Sequence, residues 1–197
     1  TNLTDGDSGL MRKSKRESYT QSYNAQAAVD ADGSQLILGN HVSRSASDAN
    51  ELEPALESIP DEMGDVQRAL ADSGYVNAEA IERVEDAGIG VYVSVGREDG
   101  NYERNYDYRP DSVRNKPPKK LTDERLLAMQ AKLATEEGRK IYRKRQETVE
   151  PVFGIIKSVM GFRQFLLRGH EKVKIEWSLV CLAYNVKRLW KAQTNPA

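Results

Sequence analysis

The stretch from residue 69 to residue 95 constrains the fold most strongly, because two short apolar segments flank an amphipathic helix. The first segment, residues 69–71, leads directly into Asp72 and a Ser-Gly turn. Asn77 is a typical N-cap for the helix that follows, and residues 91–95 alternate again as a strand. This order predicts a parallel β-α-β unit with a right-handed crossover. Sheets of this kind carry their chemistry at the ends of strands.

A β-hairpin is predicted upstream of this unit. Apolar or small residues alternate with polar ones over residues 23–30, which is the period of a half-buried strand. Asp32 and Gly33 supply a turn, and a second strand runs from Leu36 to about Val42. The sequence therefore predicts a hairpin in front of the parallel unit.

The segments on either side of the hairpin have different patterns. Residues 1–20 are polar and show no regular period, so we expect an extended segment that would need a partner to become ordered. After the hairpin, Asp48 followed by Glu51 resembles a capping box, and the helix it would begin is stopped by Pro60. The order up to this point is strand, strand, helix.

The second half of the chain is predicted to be helical. Residues 96–120 are polar and rich in proline, which indicates a long loop or insertion. Three helices follow, over residues 122–135, 138–160 and 171–192, with a break expected at Pro151. The fold class is thus α/β, with residues 1–120 forming the sheet part and residues 121–197 forming a basic helical part.

The charge distribution is uneven, although the 197 residues carry a net charge of only −1. Residues 101–197 contain 21 Lys or Arg against 11 Asp or Glu, whereas residues 1–100 contain 8 against 19. A basic half suits a polyanion, because neutralised phosphates release counterions, but solvated helix faces have the same composition. The single cysteine, Cys181, excludes an internal disulfide, and no apolar stretch is long enough for a membrane span. We expect a cytoplasmic protein without a membrane partner.

Asp72 is the first candidate for a catalytic side chain. It follows the apolar segment at the position where a metal ion could reach a carboxylate at a strand end. The alternative is structural, since an aspartate before Ser-Gly commonly forms an Asx turn with the next backbone amides.

Glu150 is the second candidate, on the predicted helix 138–160. Arg143, Glu150 and Lys157 are spaced seven residues apart and therefore fall along one edge of the apolar face. Such an edge could combine a metal-binding carboxylate with cations that hold DNA phosphates. An ordinary surface helix can have the same arrangement.

Several blocks of the sequence, in order, resemble the DDE-type transposases of bacterial insertion sequences. They are residues 23–30 (YNAQAAVD), 71–75 (ADSGY), 149–154 (VEPVFG), 161–165 (GFRQF), 167–169 (LRG) and 182–185 (LAYN). The resemblance implies a ribonuclease H-like mixed sheet in which two aspartates and a glutamate hold two Mg²⁺ or Mn²⁺ ions. By this resemblance, Asp72 is the second aspartate and Glu150 is the glutamate.

The resemblance also implies DNA-binding residues near Glu150. The family signature on the glutamate's helix is Tyr, two residues, Arg, three residues, Glu, six residues, Lys. Tyr142, Arg145 and Lys157 match its Tyr, Arg and Lys, and Arg143 lies beside them, but four residues rather than three separate Arg145 from Glu150. In the family these residues hold DNA near the cleaved end.

The first aspartate of the set has no clear counterpart. The hairpin corresponds to the second and third strands of the family's sheet, which implies that the first strand is missing. Asp5 and Asp7 lie upstream in a turn-like stretch, and Asp7 is a weak candidate. The first residue is Thr, so we expect a fragment that begins partway through a longer protein and is inactive or nearly so alone.

The predicted function is therefore metal-dependent cleavage and joining of DNA strands during transposition. The partners would be double-stranded DNA, both element ends and target, and possibly a second copy of the protein. We expect it in the bacterial or archaeal cytoplasm, associated with the nucleoid. Two alternatives remain: a truncated, inactive DNA-binding remnant of a transposase, and a non-enzymatic nucleic-acid-binding module.

Overall fold

The computed structural model of the chain describes residues 3–12, 17–95 and 121–194. The strands in these ranges are Gly9–Met11 (β1), Thr20–Ser22 (β2), Asn24–Val29 (β3), Ile37–Ser43 (β4), Arg68–Ala71 (β5) and Gly90–Val93 (β6). The α-helices are Leu52–Glu57 (α1), Ala78–Asp86 (α2), Glu124–Ala134 (α3), Glu136–Gly154 (α4) and His170–Thr194 (α5). The chain is therefore a mixed α/β protein. The loop predicted at residues 96–120 lies outside the described residues.

The predicted hairpin is confirmed. β3 pairs antiparallel with β4, from Asn24 opposite Ser43 to Val29 opposite Ile37, with a bulge between Ala28 and Val29. The small and apolar side of β3 packs against a core shared with α4 and α5. The polar side of the same strand is thereby left to face the region after β5.

The predicted parallel unit is also confirmed. β5 pairs parallel with β6, and α2 connects them. The Asn77 side chain caps α2 by accepting hydrogen bonds from the amides of Glu79 and Ala80, at 3.1 and 3.3 Å. Gly88 follows the helix with a φ of 88°, a conformation that favours glycine. A second apolar core, which contains Ile81 and Val91, packs this unit against α1 and α3.

The expectation for residues 1–20 was wrong in one respect, because part of the segment is ordered within the chain itself. β1 pairs antiparallel with β2, with Leu10 opposite Gln21. The carboxylate of Asp5 accepts the hydroxyl hydrogen bond of Tyr23 at 2.8 Å, and that of Asp7 accepts from the backbone amide of His170 at 3.1 Å. These contacts attach the segment to the hairpin and to the start of α5.

The break expected at Pro151 was wrong, because α4 continues through this residue to Gly154. Proline lacks an amide hydrogen, so the carbonyl four residues earlier, that of Glu147, loses its helical partner. The side chain of Gln35 replaces it and donates to this carbonyl from Nε2 at 2.8 Å. The helix becomes irregular only at the π-helical turn Ile155–Val159. A contact from the hairpin turn thus keeps the helix intact.

α5 packs along the outer side of β4. Its buried side chains include Trp177, Cys181 and Tyr184, and burial raises the pKa of the Cys181 thiol to about 12. The amide group of Asn185 bonds both the amide and the carbonyl of Ile37, at 2.9 and 2.8 Å. Cys181 is therefore a core residue.

The strands do not form one continuous sheet. Within the described ranges, β3 pairs only with β4 and β5 pairs only with β6, so each of β3 and β5 keeps one edge without a strand partner. Residues of these two strands, together with residues of α1 and α4, line one groove of about 1150 Å³. Where the sequence predicted one mixed sheet, the described residues thus form an antiparallel pair and a parallel pair beside a common groove.

Candidate active site

Asp72 lies at the end of β5, directly after the buried residue Ala71, and lines the groove. Its Oδ1 accepts a hydrogen bond from the amide of Gly74 at 2.7 Å, which begins the short 3-10 turn Ser73–Tyr75. The carboxylate is exposed. Asp72 therefore forms the Asx turn that was considered as its structural role, and this turn fixes the carboxylate at the strand end.

Asp48 lies beside Asp72, which the sequence did not suggest. A Cβ atom placed on Gly74 would be 2.9 Å from Asp72 Oδ1 and 3.2 Å from Asp48 Oδ2, so the two carboxylates face the same glycine. The expected capping box was wrong: α1 begins after Glu51 without a side-chain cap. Asp48 instead accepts hydrogen bonds from Asn24 Nδ2 at 2.6 Å and from Gln26 Nε2 at 2.8 Å.

Gln26 and Tyr75 connect the hairpin to the turn that carries Asp72. The Gln26 residue is only 4% exposed, and its Oε1 accepts the hydroxyl hydrogen bond of Tyr75. Burial, followed by the nearby charges of Asp48 and Asp72, raises the pKa of Tyr75 well above its usual range. We call Asn24, Gln26, Asp48 and Tyr75 the polar clamp, since their side chains join the two half-sheets at the Asp72 end of the groove.

Glu150 lies on α4 and lines the same groove, with a side chain that is 65% exposed. The guanidinium of Arg145 is 4.0 Å from its Oε1. Arg145 is itself buried, and its guanidinium carbon lies 5.5 Å from the ring centroid of Tyr142. The extra residue between Arg145 and Glu150 therefore does not separate their side chains.

The groove brings together most, but not all, of the residues singled out from the sequence. Asp72, Glu150, Arg145 and Lys157 line it, and Lys157 Nζ lies 5.6 Å from the ring centroid of Phe153. Tyr142 and Arg143 are not among the lining residues. Lys140 and Lys144, which carried no prediction of their own, do line the groove. Arg143 lies on the same helix as Glu150 but outside the groove, and its role in DNA binding stays a prediction.

Asp5 and Asp7 have structural partners away from the groove. Asp5 is bound to Tyr23, and burial, followed by the hydrogen bond to this carboxylate, raises the pKa of the Tyr23 hydroxyl to about 12. Asp7 accepts from the amide at the first turn of α5. Over residues 3–12, 17–95 and 121–194, no three His, Cys, Asp or Glu side chains are grouped so that they could hold a metal ion.

These features define an α/β domain in which carboxylates of a strand end and basic residues of a helix line one groove. The chain matches the family model described as the transposase DDE domain over residues 4–186. It therefore belongs to the DDE transposase family. No match was found among curated proteins or among solved structures. No helix in the described part of the chain is both long and apolar enough to cross a membrane.

Proposed function

We propose that the chain supplies two catalytic carboxylates, those of Asp72 and Glu150, to a DNA transposase active site. The observation that carries this proposal is that both residues line one groove together with Arg145 and Lys157. Membership of the DDE family supports the reaction class, which is hydrolysis of a phosphodiester at the element end. The released 3′-hydroxyl would then attack target DNA in line.

The donor chemistry of the groove suits a hard divalent cation. Asp72 and Glu150 would be ligands of two Mg²⁺ or Mn²⁺ ions, and the bound ions would activate the attacking oxygen and stabilise the leaving one. The protein's own contribution is position: the Asx turn fixes Asp72, and α4 presents Glu150 beside Arg145. Arg145 and Lys157 would bind phosphate oxygens of double-stranded DNA and hold the backbone in the groove.

A third carboxylate is required, and we propose that a further strand brings it into the groove. An edge strand presents unpaired amide and carbonyl groups, and β3 and β5 each have such an edge among the described residues. Both edges line the groove, so one inserted strand could pair with the two and complete a ribonuclease H-like mixed sheet. An aspartate on that strand would complete the set of three.

The test uses the chain joined to the polypeptide encoded upstream of it. We expect cleavage of DNA that carries the element's terminal repeat, in the presence of Mg²⁺ or Mn²⁺. Asp72→Ala and Glu150→Ala should each reduce cleavage by at least about a thousandfold while DNA binding changes little, because each removes metal-binding charge. Retained cleavage in either variant would refute the assignment.

A matched control separates loss of chemistry from loss of fold. Glu147→Ala removes an exposed carboxylate from the same helix, one turn from Glu150, and leaves the backbone carbonyl that Gln35 binds. This variant should cleave at the parent rate. If binding persists but no form cleaves with either metal, the inactive DNA-binding remnant is the better description.

A further inference from the structure

The long helix α5 has two apolar faces, and only one of them is covered. Val173, Trp177, Cys181 and Tyr184 form the buried face. On the opposite side of the helix lies an exposed stripe: Ile175 (61% exposed), Leu179 (60%), Leu182 (58%), Val186 (59%), Leu189 (49%) and Trp190 (64%). Nothing within residues 3–12, 17–95 and 121–194 covers these side chains. We call them the α5 stripe.

The spacing of the α5 stripe is that of a helix-pairing seam. From Ile175 to Leu189 its members follow one another at intervals of four, three, four and three residues. This spacing averages 3.5 residues, the period of the apolar seam by which two helices pack knobs into holes. A helix that faces only water has no need of apolar residues at this interval.

The exposed area is also large for a monomer. Six side chains that are about half to two-thirds exposed amount to on the order of 600 Å² of apolar surface, at the upper end for the largest patch of a monomeric protein. Specific interfaces bury about 800 Å² on each partner, which the stripe and the residues beside it can supply.

We propose that the α5 stripe binds the α5 stripe of a second copy of this chain, with the two helices antiparallel. The stripe is self-complementary about its midpoint, which lies next to Ala183, as a two-fold axis requires. Ser178 and Ala183 flank the seam, and their small side chains allow close approach. In the antiparallel arrangement the large Trp190 of one copy lies opposite Ile175 of the other. Opposed helix dipoles favour the same orientation.

The first experiment measures the mass of the chain in solution by light scattering or sedimentation equilibrium. The parent chain, of 22.1 kDa, should approach twice this mass as its concentration rises. The double variant Leu182→Glu, Val186→Glu should remain at the single-chain mass across a roughly hundredfold concentration range, because two charges at the seam would be buried. An unchanged circular dichroism spectrum would show that the helix survives, since both positions are exposed.

A matched control places the same charge on a different exposed apolar residue. Leu10 on β1 is 59% exposed and lies outside the stripe, so Leu10→Glu should dimerise like the parent chain. A parent chain that stays monomeric, or a Leu182→Glu, Val186→Glu chain that dimerises normally, would overturn the proposal.

The orientation is tested by a disulfide between copies. Ala183→Cys should cross-link under mild oxidation, because an antiparallel pair centred nearby brings the two copies of residue 183 together on the same flank of the seam. A parallel pair would place them on opposite flanks. Cys181 is buried and does not compete. Gln146→Cys, exposed on α4, should not cross-link. A dimer whose Ala183→Cys form fails to cross-link would contradict the antiparallel arrangement. The dimer does not depend on the proposed cleavage reaction, so either can fail alone.

Discussion

At Asp72, four other side chains determine where one carboxylate lies. The polar clamp holds the hairpin against the 3-10 turn, and Gly74 leaves the space in which Asp72 and Asp48 approach each other. The clamp is buried at Gln26, where each polar atom must find a partner inside the protein. Its hydrogen bonds therefore contribute both to stability and to the position of Asp72.

Removing the hydroxyl of Tyr75 tests the clamp. Tyr75→Phe leaves the buried Oε1 of Gln26 without this donor, so we expect the free energy of unfolding to fall by about 1–3 kcal/mol. Urea unfolding followed by circular dichroism measures the change. Tyr19→Phe is the control, because Tyr19 is 55% exposed and its hydroxyl can be replaced by water. Equal stability of the two variants would contradict the clamp.

Single residues were predicted well where one local pattern decides their environment. Asp72 was recognised from the apolar run before it and the Ser-Gly after it, and the Asn77 cap from the helix it precedes. Asp48 was misread as a capping residue, because its partners Asn24 and Gln26 are more than 20 positions away along the chain. The polar side of β3 was the signal that could have predicted these contacts, since buried side-chain amide groups need hydrogen-bond partners.

At the scale of elements, α4 shows how a tertiary contact can override a local rule. Pro151 should end or kink the helix, but Gln35 donates to the orphaned carbonyl of Glu147. Gln35 adopts a φ of 56°, a backbone conformation that residues other than glycine rarely take. The hairpin turn thus contributes directly to the helix that presents Glu150.

A double-mutant cycle between Gln35 and Pro151 tests this contact. Gln35→Ala alone should lower the free energy of unfolding by about 1–2 kcal/mol, because the Glu147 carbonyl loses its donor. In a Pro151→Ala background, the new amide can bond that carbonyl within the helix. The Gln35→Ala change should then cost clearly less, and a coupling energy near zero would show that the two sites are independent.

The elements themselves were largely predictable, whereas their pairing was not. Alternating and helical periods correctly located β3, β4, the parallel unit and the three C-terminal helices. The β1–β2 pair was missed because each strand has only three residues, too few to show an alternating pattern. Periodicity indicates which side of an element is apolar, but not whether a distant glutamine donates to a helix carbonyl that has lost its partner.

At the scale of the whole molecule, the fold brings the two oppositely charged halves of the chain to one groove. Asp72 at the end of β5 and Asp48 before α1 come from the acidic half, and α4 with its cations comes from the basic half. The sequence predicted this meeting only through resemblance to a family, since nothing in the local patterns fixes which halves face each other. The open strand edges beside the groove agree with the missing first strand, which was likewise inferred only from that resemblance.

DNA binding should depend on these local cations, because the chain as a whole is nearly neutral. Lys157 is exposed, lines the groove and forms no ion pair with a carboxylate of the described residues, whereas Lys144 is already 2.8 Å from Asp32. If Lys157 neutralises one phosphate, Lys157→Ala should reduce the slope of log affinity against log salt by about 0.9. Lys174→Ala is the control: this lysine lies on α5, 3.1 Å from Glu171, and is not among the groove's lining residues. Fluorescence anisotropy with duplex DNA at several salt concentrations measures both slopes, and the same slope for the two variants would place the DNA elsewhere on the protein.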